Sequence, residues 1–328
     1  MDRVSKESRQ RGFTLVEVLV SVAVITLVLA FTLQLLSGTS STIGASSAQL
    51  DSASMARIVL DRFENDFAGA VLNGGATVLS YQGTAAENSA IGFATQSRAR
   101  GPTTAGAAWT TDTRSAFIGY SIRAVVQNIR GSTTASISCL NRGDGRFTFS
   151  TNSIGSNATP NLWDAFGAQN SRIPSDLAGS QTLLNWQVIA SGVIRMHVSF
   201  ILDDGRVVQT PPAYRNFFAN GGTAPCIPVA FSSATSDDPA RRFVTGVVVG
   251  LVTLDEPTRN LAYTVDNDFV ATVATRLGRP SLDGETPVQV WNRNLRTLTS
   301  NDPSDTQYLF PPIRNNVRFY QRFYAVRL

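Results

Sequence analysis

The stretch Arg11-Gly12-Phe13-Thr14-Leu15-Val16-Glu17 opens an apolar run that continues to Leu36 and decides how this chain begins its fold. Glu17 is the only charged residue between Phe13 and Leu36. At ~1.5 Å per residue, a helix over this run is ~36 Å long, which is enough to cross a hydrocarbon core of ~30 Å. The sequence therefore predicts a polar leader over residues 1–12 and a transmembrane helix over residues 13–36.

The order of leader, small residue and apolar run differs from that of a secretory signal peptide. Such a signal keeps its small-residue cleavage site after the apolar stretch. Here Gly12 comes before it, so a cut at Gly12 leaves the membrane helix on the mature protein. The leader is basic and stays in the cytoplasm, so we expect a single-pass inner-membrane protein whose C-terminal bulk is periplasmic. A simple N-terminal anchor is the alternative.

Residues 11–17 resemble the class III signal of type IV pilins and type II secretion pseudopilins. The resemblance implies that a prepilin peptidase cleaves between Gly12 and Phe13, and that the new amine on Phe13 is methylated. It also implies that Glu17, the fifth mature residue, pairs with the N-terminal amine of a neighbouring subunit during filament assembly. The implied partners are the prepilin peptidase, other pilin or pseudopilin subunits, the inner-membrane assembly platform and the lipid bilayer.

The charge balance gives little support to nucleic-acid binding. The chain has 328 residues and a formal net charge of +4, and 43% of its residues are hydrophobic. The leader contributes +2 of that charge, from four basic and two acidic residues, so the mature chain carries about +2. Lys6 is the only lysine, and the charges of both signs are mixed along the chain. We therefore regard a nucleic-acid partner as an unfavoured hypothesis.

A second apolar pattern follows the membrane run. Residues 37–47 are rich in Ser, Thr and Gly, and they predict a polar, flexible stretch of the same long helix. Apolar residues then recur every four positions at Met55, Val59, Phe63, Phe67 and Val71, which is typical of an amphipathic helix. Charged residues fill the other faces: Arg57, Asp61, Arg62, Glu64 and Asp66. The helix is expected to continue over residues 37–75 and to end at Asn73-Gly74-Gly75.

From residue 76 the pattern changes to short strands, which predicts a β-rich domain over residues 76–328 and an α+β fold. The predicted strands are 91–93, 117–126, 146–149, 187–202, 243–254 and 317–325. Asp203-Asp204-Gly205 predicts a hairpin turn, and Asp255-Glu256-Pro257 is interpreted as a strand end. Three segments rich in Gly, Pro, Ser, Asn and Asp are interpreted as loops or insertions: 101–108, 151–179 and 278–305.

Parts of this domain add a looser resemblance. Residues 60–67 are similar to the corresponding helix end of J-type minor pseudopilins and W-type minor pilins, as are the segments 91–93, 188–205 and 247–255. The order of elements also resembles the pseudopilin-like "cassette protein C" family described from Verrucomicrobia-type genomes. These resemblances imply a pilin-like fold, in which the second half of the helix packs on an antiparallel sheet. Where many major pilins have a kinking proline, this chain has Gln34.

The sequence contains few candidates for catalytic or metal-binding residues. The only histidine, His197, lies in an apolar strand and is interpreted as a core or surface residue. Asp144, Asp203 and Asp204 could be calcium ligands, but Asp-rich turns are common without metal, and we expect neither a metal nor another cofactor. Cys139 and Cys226 could form a disulfide in an oxidising periplasm or lie apart as buried thiols.

The strongest candidate for surface recognition is a set of four alternate residues near the C-terminus: Arg318, Tyr320, Arg322 and Tyr324. Solvent-exposed faces of strands commonly have the same composition. The sequence as a whole predicts a non-enzymatic minor pseudopilin or minor pilin, located at or near the tip of a filament. Two alternatives stay open. One is an adhesive or DNA-binding tip pilin, and the other is an exported enzyme on a pilin-type anchor.

Overall fold

The computed structural model describes most of the chain after the leader. The described residues are 14–72, 78–82, 88–95, 99–102, 109–113, 116–129, 133–146, 184–213, 227–231, 236, 242–266, 268–278 and 284–326. The chain divides into two compact units, with the boundary between Leu50 and Asp51. The second unit is an α+β domain, as the sequence predicted.

Helix α1 runs over Leu15–Ala68 and contains the apolar run and the second apolar pattern as far as Phe67, whereas Val71 lies beyond its end. The predicted polar, flexible stretch at residues 37–47 is helical in the structure. The helix ends earlier than predicted because the chain then joins a sheet: the Val71 amide donates to the Ala94 carbonyl at 2.9 Å, and Ala70 bridges Thr95. Asn73-Gly74-Gly75, the predicted terminator, lies outside the described residues.

The larger sheet is antiparallel and has six strands in the order β10-β1-β2-β5-β6-β7. Its strands are β1 (Val78–Tyr81), β2 (Ala90–Thr95), β5 (Ala116–Ile129), β6 (Thr133–Arg146), β7 (Asn185–Ala190) and β10 (Ile227–Pro228). A separate ribbon pairs β3 (Ala99–Pro102) with β4 (Trp109–Thr113), so the predicted loop at 101–108 begins in a strand. The rest of that loop and the segment 151–179 lie outside the described residues.

The smaller sheet has four antiparallel strands in the order β12-β11-β8-β9. They are β8 (Val193–Leu202), β9 (Val207–Val208), β11 (Val244–Thr253) and β12 (Arg318–Ala325). The valine-rich β11 is a buried central strand, which confirms the prediction for residues 243–254. The hairpin turn is also confirmed: Gly205 has φ of 81°, and Phe200 pairs with Val208 across the turn.

Among the described residues, four helices lie between β11 and β12, and the sequence analysis predicted none of them. They are α2 (Glu256–Val265), α3 (Phe269–Leu277), α4 (Pro287–Thr297) and α5 (Pro311–Asn316). Asp255 caps α2 by accepting from the Thr258 amide at 2.7 Å, so interpreting Asp255-Glu256-Pro257 as a strand end was wrong.

The interpretation of residues 278–305 as a loop was wrong in the same way. Helix α4 lies within that segment and starts with a capping box formed by Thr286 and Gln289, with Pro287 in the first turn. The polar composition that suggested a loop belongs to the solvent-exposed side of this helix and to the connections that flank it.

Two hydrophobic clusters form the core of the domain. The first combines the C-terminal part of α1 with residues from both large sheets, including Phe93, Tyr120 and Phe200. The second is built by the four inserted helices against β6, β8 and β11, and its largest fully buried member is Trp291. The smaller sheet is therefore covered by α1 on one face and by the helical insertion on the other.

Candidate functional site

The N-terminal part of α1 presents an apolar surface to its surroundings. Leu15–Thr39 is long and apolar enough to cross a membrane, and none of it is buried within the structure. Large side chains such as Leu15 and Leu35 are more than two-thirds exposed, at 80% and 71%. A surface of this kind is stable when lipid or another apolar helix covers it.

Four hydroxyl groups of this segment are compatible with an apolar environment because they are already hydrogen-bonded. Each donates to a backbone carbonyl three or four residues earlier, at 2.7–2.9 Å: Ser21, Thr26, Thr32 and Thr39. Hydrogen bonds of this kind satisfy a hydroxyl without any partner outside the helix. Glu17 is then the one ionisable group of the segment.

Glu17 lies in the first turn of α1, where the helix dipole favours a negative charge. Its amide donates to the Thr14 carbonyl at 3.0 Å and to the Thr14 hydroxyl at 3.3 Å, so Thr14 helps to begin the helix. The side chain is exposed, and the carboxylate has no hydrogen-bond or ion-pair partner among the described residues. This geometry leaves the carboxylate able to accept a cation from another molecule.

The other residues predicted for processing lie outside the described part of the chain. Gly12 and Phe13, the predicted cleavage and methylation positions, both precede the first described residue, Thr14. Cleavage, methylation and the pairing of Glu17 with a neighbouring amine therefore stay predictions. The structure places only Glu17 of this set.

The C-terminal part of α1 carries the predicted apolar stripe into the core. Val59, Phe63 and Phe67 are at most 5% exposed, which confirms the prediction from their spacing. The Phe63 ring lies 5.0 Å from the Tyr120 ring and 4.8 Å from the Tyr324 ring, measured between centroids. This part of α1 therefore packs against both large sheets.

A buried ion pair fixes the same helix to the six-stranded sheet. The Asp66 carboxylate accepts from the Tyr120 hydroxyl at 2.6 Å, from Arg142 Nε at 2.5 Å and from Arg142 Nη2 at 3.2 Å. Burial and the Asp66 charge raise the pKa of Tyr120, which stays a neutral donor. We call Asp66, Tyr120 and Arg142 the helix clamp.

The sequence placed Asp66 among the solvent-facing residues of α1, and that placement was wrong. Asp66 is only 7% exposed. Asp66 follows Phe63 by three residues, and residues at this spacing are neighbours on a helix surface. Its closeness to the apolar stripe could therefore have indicated that it is buried. Its partners Tyr120 and Arg142 gave no comparable signal, because the register of β5 and β6 decides where they point.

The Arg/Tyr face at the C-terminus is used within the molecule. Arg322 Nη1 donates to Asp61 at 2.5 Å and to Glu64 at 2.9 Å, and the Tyr324 hydroxyl donates to the Leu60 carbonyl at 2.9 Å. Tyr324 is buried in the core. Two of the four residues considered for surface recognition therefore hold α1 on β12, which weakens the recognition hypothesis.

His197 is a satisfied core residue, as the sequence indicated. It is 2% exposed, with Nδ1 at 2.9 Å from the Ser89 hydroxyl and Nε2 at 2.7 Å from Gln209 Oε1. Since an amide oxygen can only accept, Nε2 carries the proton and the Ser89 hydroxyl donates to Nδ1. Both ring nitrogens are thus engaged in structural hydrogen bonds.

The candidate metal ligands are not brought together. Asp204, in the β8–β9 turn, forms ion pairs with Arg206 and Arg242. Among the described residues, no group of three or more His, Cys, Asp or Glu side chains could hold a metal ion.

Cys139 lies in the second hydrophobic cluster, and burial raises the pKa of its thiol. Its predicted partner, Cys226, lies outside the described residues, so the disulfide stays a prediction.

Comparison with known families places one match at the N-terminus. Residues 8–33 match the family described as "Prokaryotic N-terminal methylation motif". The matched segment contains Gly12, Phe13 and Glu17 and most of the apolar part of α1. No curated protein matches the chain. The motif supports the type IV pilin-like prepilin class that residues 11–17 indicated, and it implies processing by a prepilin peptidase.

Proposed function

We propose that this chain is a minor pseudopilin or minor pilin: a non-enzymatic subunit of a type II secretion pseudopilus or a type IV pilus, located at or near the filament tip. The leader is removed at Gly12, and Phe13 becomes the methylated N-terminus. The apolar part of α1 holds the protein in the inner membrane, with the domain in the periplasm, until assembly. Glu17 then pairs with the N-terminal amine of a neighbouring subunit.

Two observations carry this proposal. The methylation motif lies at residues 8–33, and the exposed apolar part of α1 contains a single carboxylate, that of Glu17, which has no partner among the described residues. An ordinary anchor needs no carboxylate, and burial of one at the bilayer centre costs about 2.5–3.5 kcal/mol on insertion scales, less near the interface. A neighbouring amine removes that penalty. The large domain behind the helix favours a minor, tip-located subunit over a repeating shaft subunit.

The two rival functions have less support. A DNA-binding tip pilin was suggested by the Arg/Tyr face of β12, but Arg322 of that face forms ion pairs with Asp61 and Glu64 of α1. An exported enzyme needs convergent catalytic groups, and the histidine that could act as a base is engaged in the core. The domain is therefore better explained as a structural and interaction module.

The proposal is tested at the N-terminus. Mass spectrometry of the assembled protein is expected to show a chain that starts at methylated Phe13. Replacing Gly12 with a bulky residue, Gly12→Leu, should block the peptidase and leave a full-length protein that inserts but does not enter filaments. An assembled protein that still begins with Met1 or Asp2 contradicts the proposed processing.

A further inference from the structure

Strand β12 has an open outer edge. It stands last in the four-stranded sheet, and all of its residues pair with β11 in one unbroken register. The Val326 amide donates to the Thr245 carbonyl at 2.8 Å, and in an antiparallel pair the backbone groups of every second residue point to the partner strand. The backbone groups of the residues between them point away from β11 and have no hydrogen-bond partner among the described residues: Phe319, Gln321, Phe323 and Ala325.

The other edge strands of the two large sheets are shorter or less regular. Strands β9 and β10 are two residues long, and β10 contains Pro228. Strand β7 has six residues and a register shift against β6. Proteins commonly limit open edges in these ways, because an open edge pairs readily with another chain. Strand β12 is eight residues long and contains no proline, and its central charge, Arg322, is bound by Asp61 and Glu64 of α1.

A groove of about 370 Å³ lies along this edge. Phe323 and Ala325 line it from one face of β12 and Tyr324 from the other, and none of the described β11 residues lines it. The rest of the lining is mostly apolar and comes from the end of α1 and the segment after it: Glu64, Phe67, Ala68, Ala70 and Leu72. The Phe323 side chain is 53% exposed. The edge therefore presents backbone hydrogen-bonding groups between two apolar surfaces.

We propose that an extended segment of a neighbouring pilin-like subunit pairs with the open edge of β12. Donors and acceptors at every second residue match the backbone of another strand. The apolar surfaces on both sides of the edge fit a segment with apolar side chains on both of its faces. The choice of a neighbouring subunit rests on the proposed function, in which helices of neighbouring subunits pack together, since the end of α1 forms one wall of the groove.

A second copy of β12 fits this edge less well. Antiparallel pairing of two identical edges relates the two copies by a two-fold axis perpendicular to the sheet. The C-terminal part of α1 packs on the face of this sheet, so the two copies of that helix would run in opposite directions. Two chains that are anchored in the same membrane by α1 cannot adopt this arrangement.

Photo-crosslinking of the full chain in membranes and filaments of the native host tests the proposal. A crosslinking residue at Ala325, which is exposed, should capture another pilin-like subunit, which mass spectrometry identifies. Two variants at Phe323 are matched for this test. Phe323→Pro and Phe323→Ala both remove the phenyl ring, but only proline also removes the outward N–H, which the pairing with β11 does not use. Capture from Ala325 should be about tenfold lower with proline than with alanine, because strand pairing depends on main-chain hydrogen bonds.

Equal capture by the two Phe323 variants overturns the strand pairing. Resistance to limited proteolysis shows whether each variant is folded. If the proline variant is unfolded, Phe323→Lys takes its place, because a lysine on an edge strand opposes pairing with another chain. Capture by the lysine variant equal to that by Phe323→Ala then overturns the proposal.

A second crosslinking position, Val24 in the apolar part of α1, separates this inference from the proposed function. Pilin-like subunits that are captured at Val24 but not at Ala325 overturn the strand pairing alone. Capture of pilin-like subunits at neither position contradicts the proposed function, and the strand pairing falls with it. Capture of an unrelated protein at Ala325 overturns the choice of a neighbouring subunit.

Discussion

The Glu17 carboxylate lies in the first turn of α1, in a segment where four hydroxyl groups donate to backbone carbonyls of the same helix. A charge in such a segment needs a partner from outside the chain. In the proposed function this partner is the N-terminal amine of another subunit, which has the complementary charge. Glu17 should therefore be required for filament assembly but not for membrane anchoring.

Glu17→Leu tests that separation. The change removes a charge from the apolar segment, so membrane insertion should be at least as efficient as in the wild type. Incorporation into filaments should fall sharply, because the pairing with a neighbouring amine is lost. Fractionation of membranes and sheared filaments, followed by immunoblotting, measures both quantities. Wild-type incorporation of the Leu variant would count against the pairing mechanism.

Asp66 and Asp61 are both on α1, but their surroundings differ. Asp66 is buried and bonded to Tyr120 and Arg142, whereas the side chain of Asp61 is 49% exposed and shares Arg322 with Glu64. Removing one member of a buried pair leaves the other as an uncompensated buried charge. An exposed pair is weakened by solvent and contributes little.

Asp66→Ala should therefore lower the free energy of unfolding by about 3–5 kcal/mol, and Asp61→Ala by at most about 1 kcal/mol. Urea denaturation of a soluble fragment that begins near Ser40 measures both values. Arg142 stays charged in the Asp66 variant because a guanidinium does not deprotonate in proteins, so its charge is left without the Asp66 carboxylate. Similar losses in the two variants would show that the helix clamp is not a buried ion pair.

At the scale of elements, α1 is one helix with two different environments. Its apolar part requires lipid or another helix, while its C-terminal part completes the core of the α+β domain. The stripe formed by Val59, Phe63 and Phe67 is buried in the domain core and holds this part of α1 on the domain.

Phe63→Ala tests whether this stripe is docked. Truncation of a buried Phe typically costs about 3–5 kcal/mol, which is a large part of the ~5–15 kcal/mol that stabilises a domain. Arg57→Ala is the matched change on the exposed face, since the Arg57 side chain is 80% exposed, and it should cost little. Thermal melts of the same soluble fragment compare the two. Equal, small effects would show that α1 is not docked on the domain.

The elements that the sequence predicted are those whose pattern is local. The four-residue spacing of Val59, Phe63 and Phe67 identified the amphipathic part of α1, and the valine run identified β11. Helix α4 was missed because only Val290 and Trp291 and the neighbouring Pro287 are buried along it, which is too few for a visible stripe. Ion pairs such as that of Arg142 with Asp66 join residues far apart in the chain, so no local sequence pattern predicts them.

At the scale of the whole molecule, the proposed function requires that the apolar part of α1 contacts other subunits. A photo-crosslinking residue at Val24, which is 56% exposed, should capture other pilin-like subunits in membranes of the native host. The products should decrease when Glu17→Leu is combined with the crosslinker, because both depend on assembly. Mass spectrometry of the products identifies the subunits. Crosslinks to lipid alone would contradict the proposed role in filaments.

The smaller sheet has one further consequence, for the evolution and engineering of this protein. Thr253, the last residue of β11, pairs directly with Arg318, the first residue of β12. The four-helix insertion between these strands therefore begins and ends at adjacent positions. Because the two ends of this helical insertion are adjacent, another insertion could replace it without moving β11 or β12. The replacement would have to cover the buried side chains of Ile194 and Val252. A replacement that keeps this cover should therefore leave the packing of α1 intact.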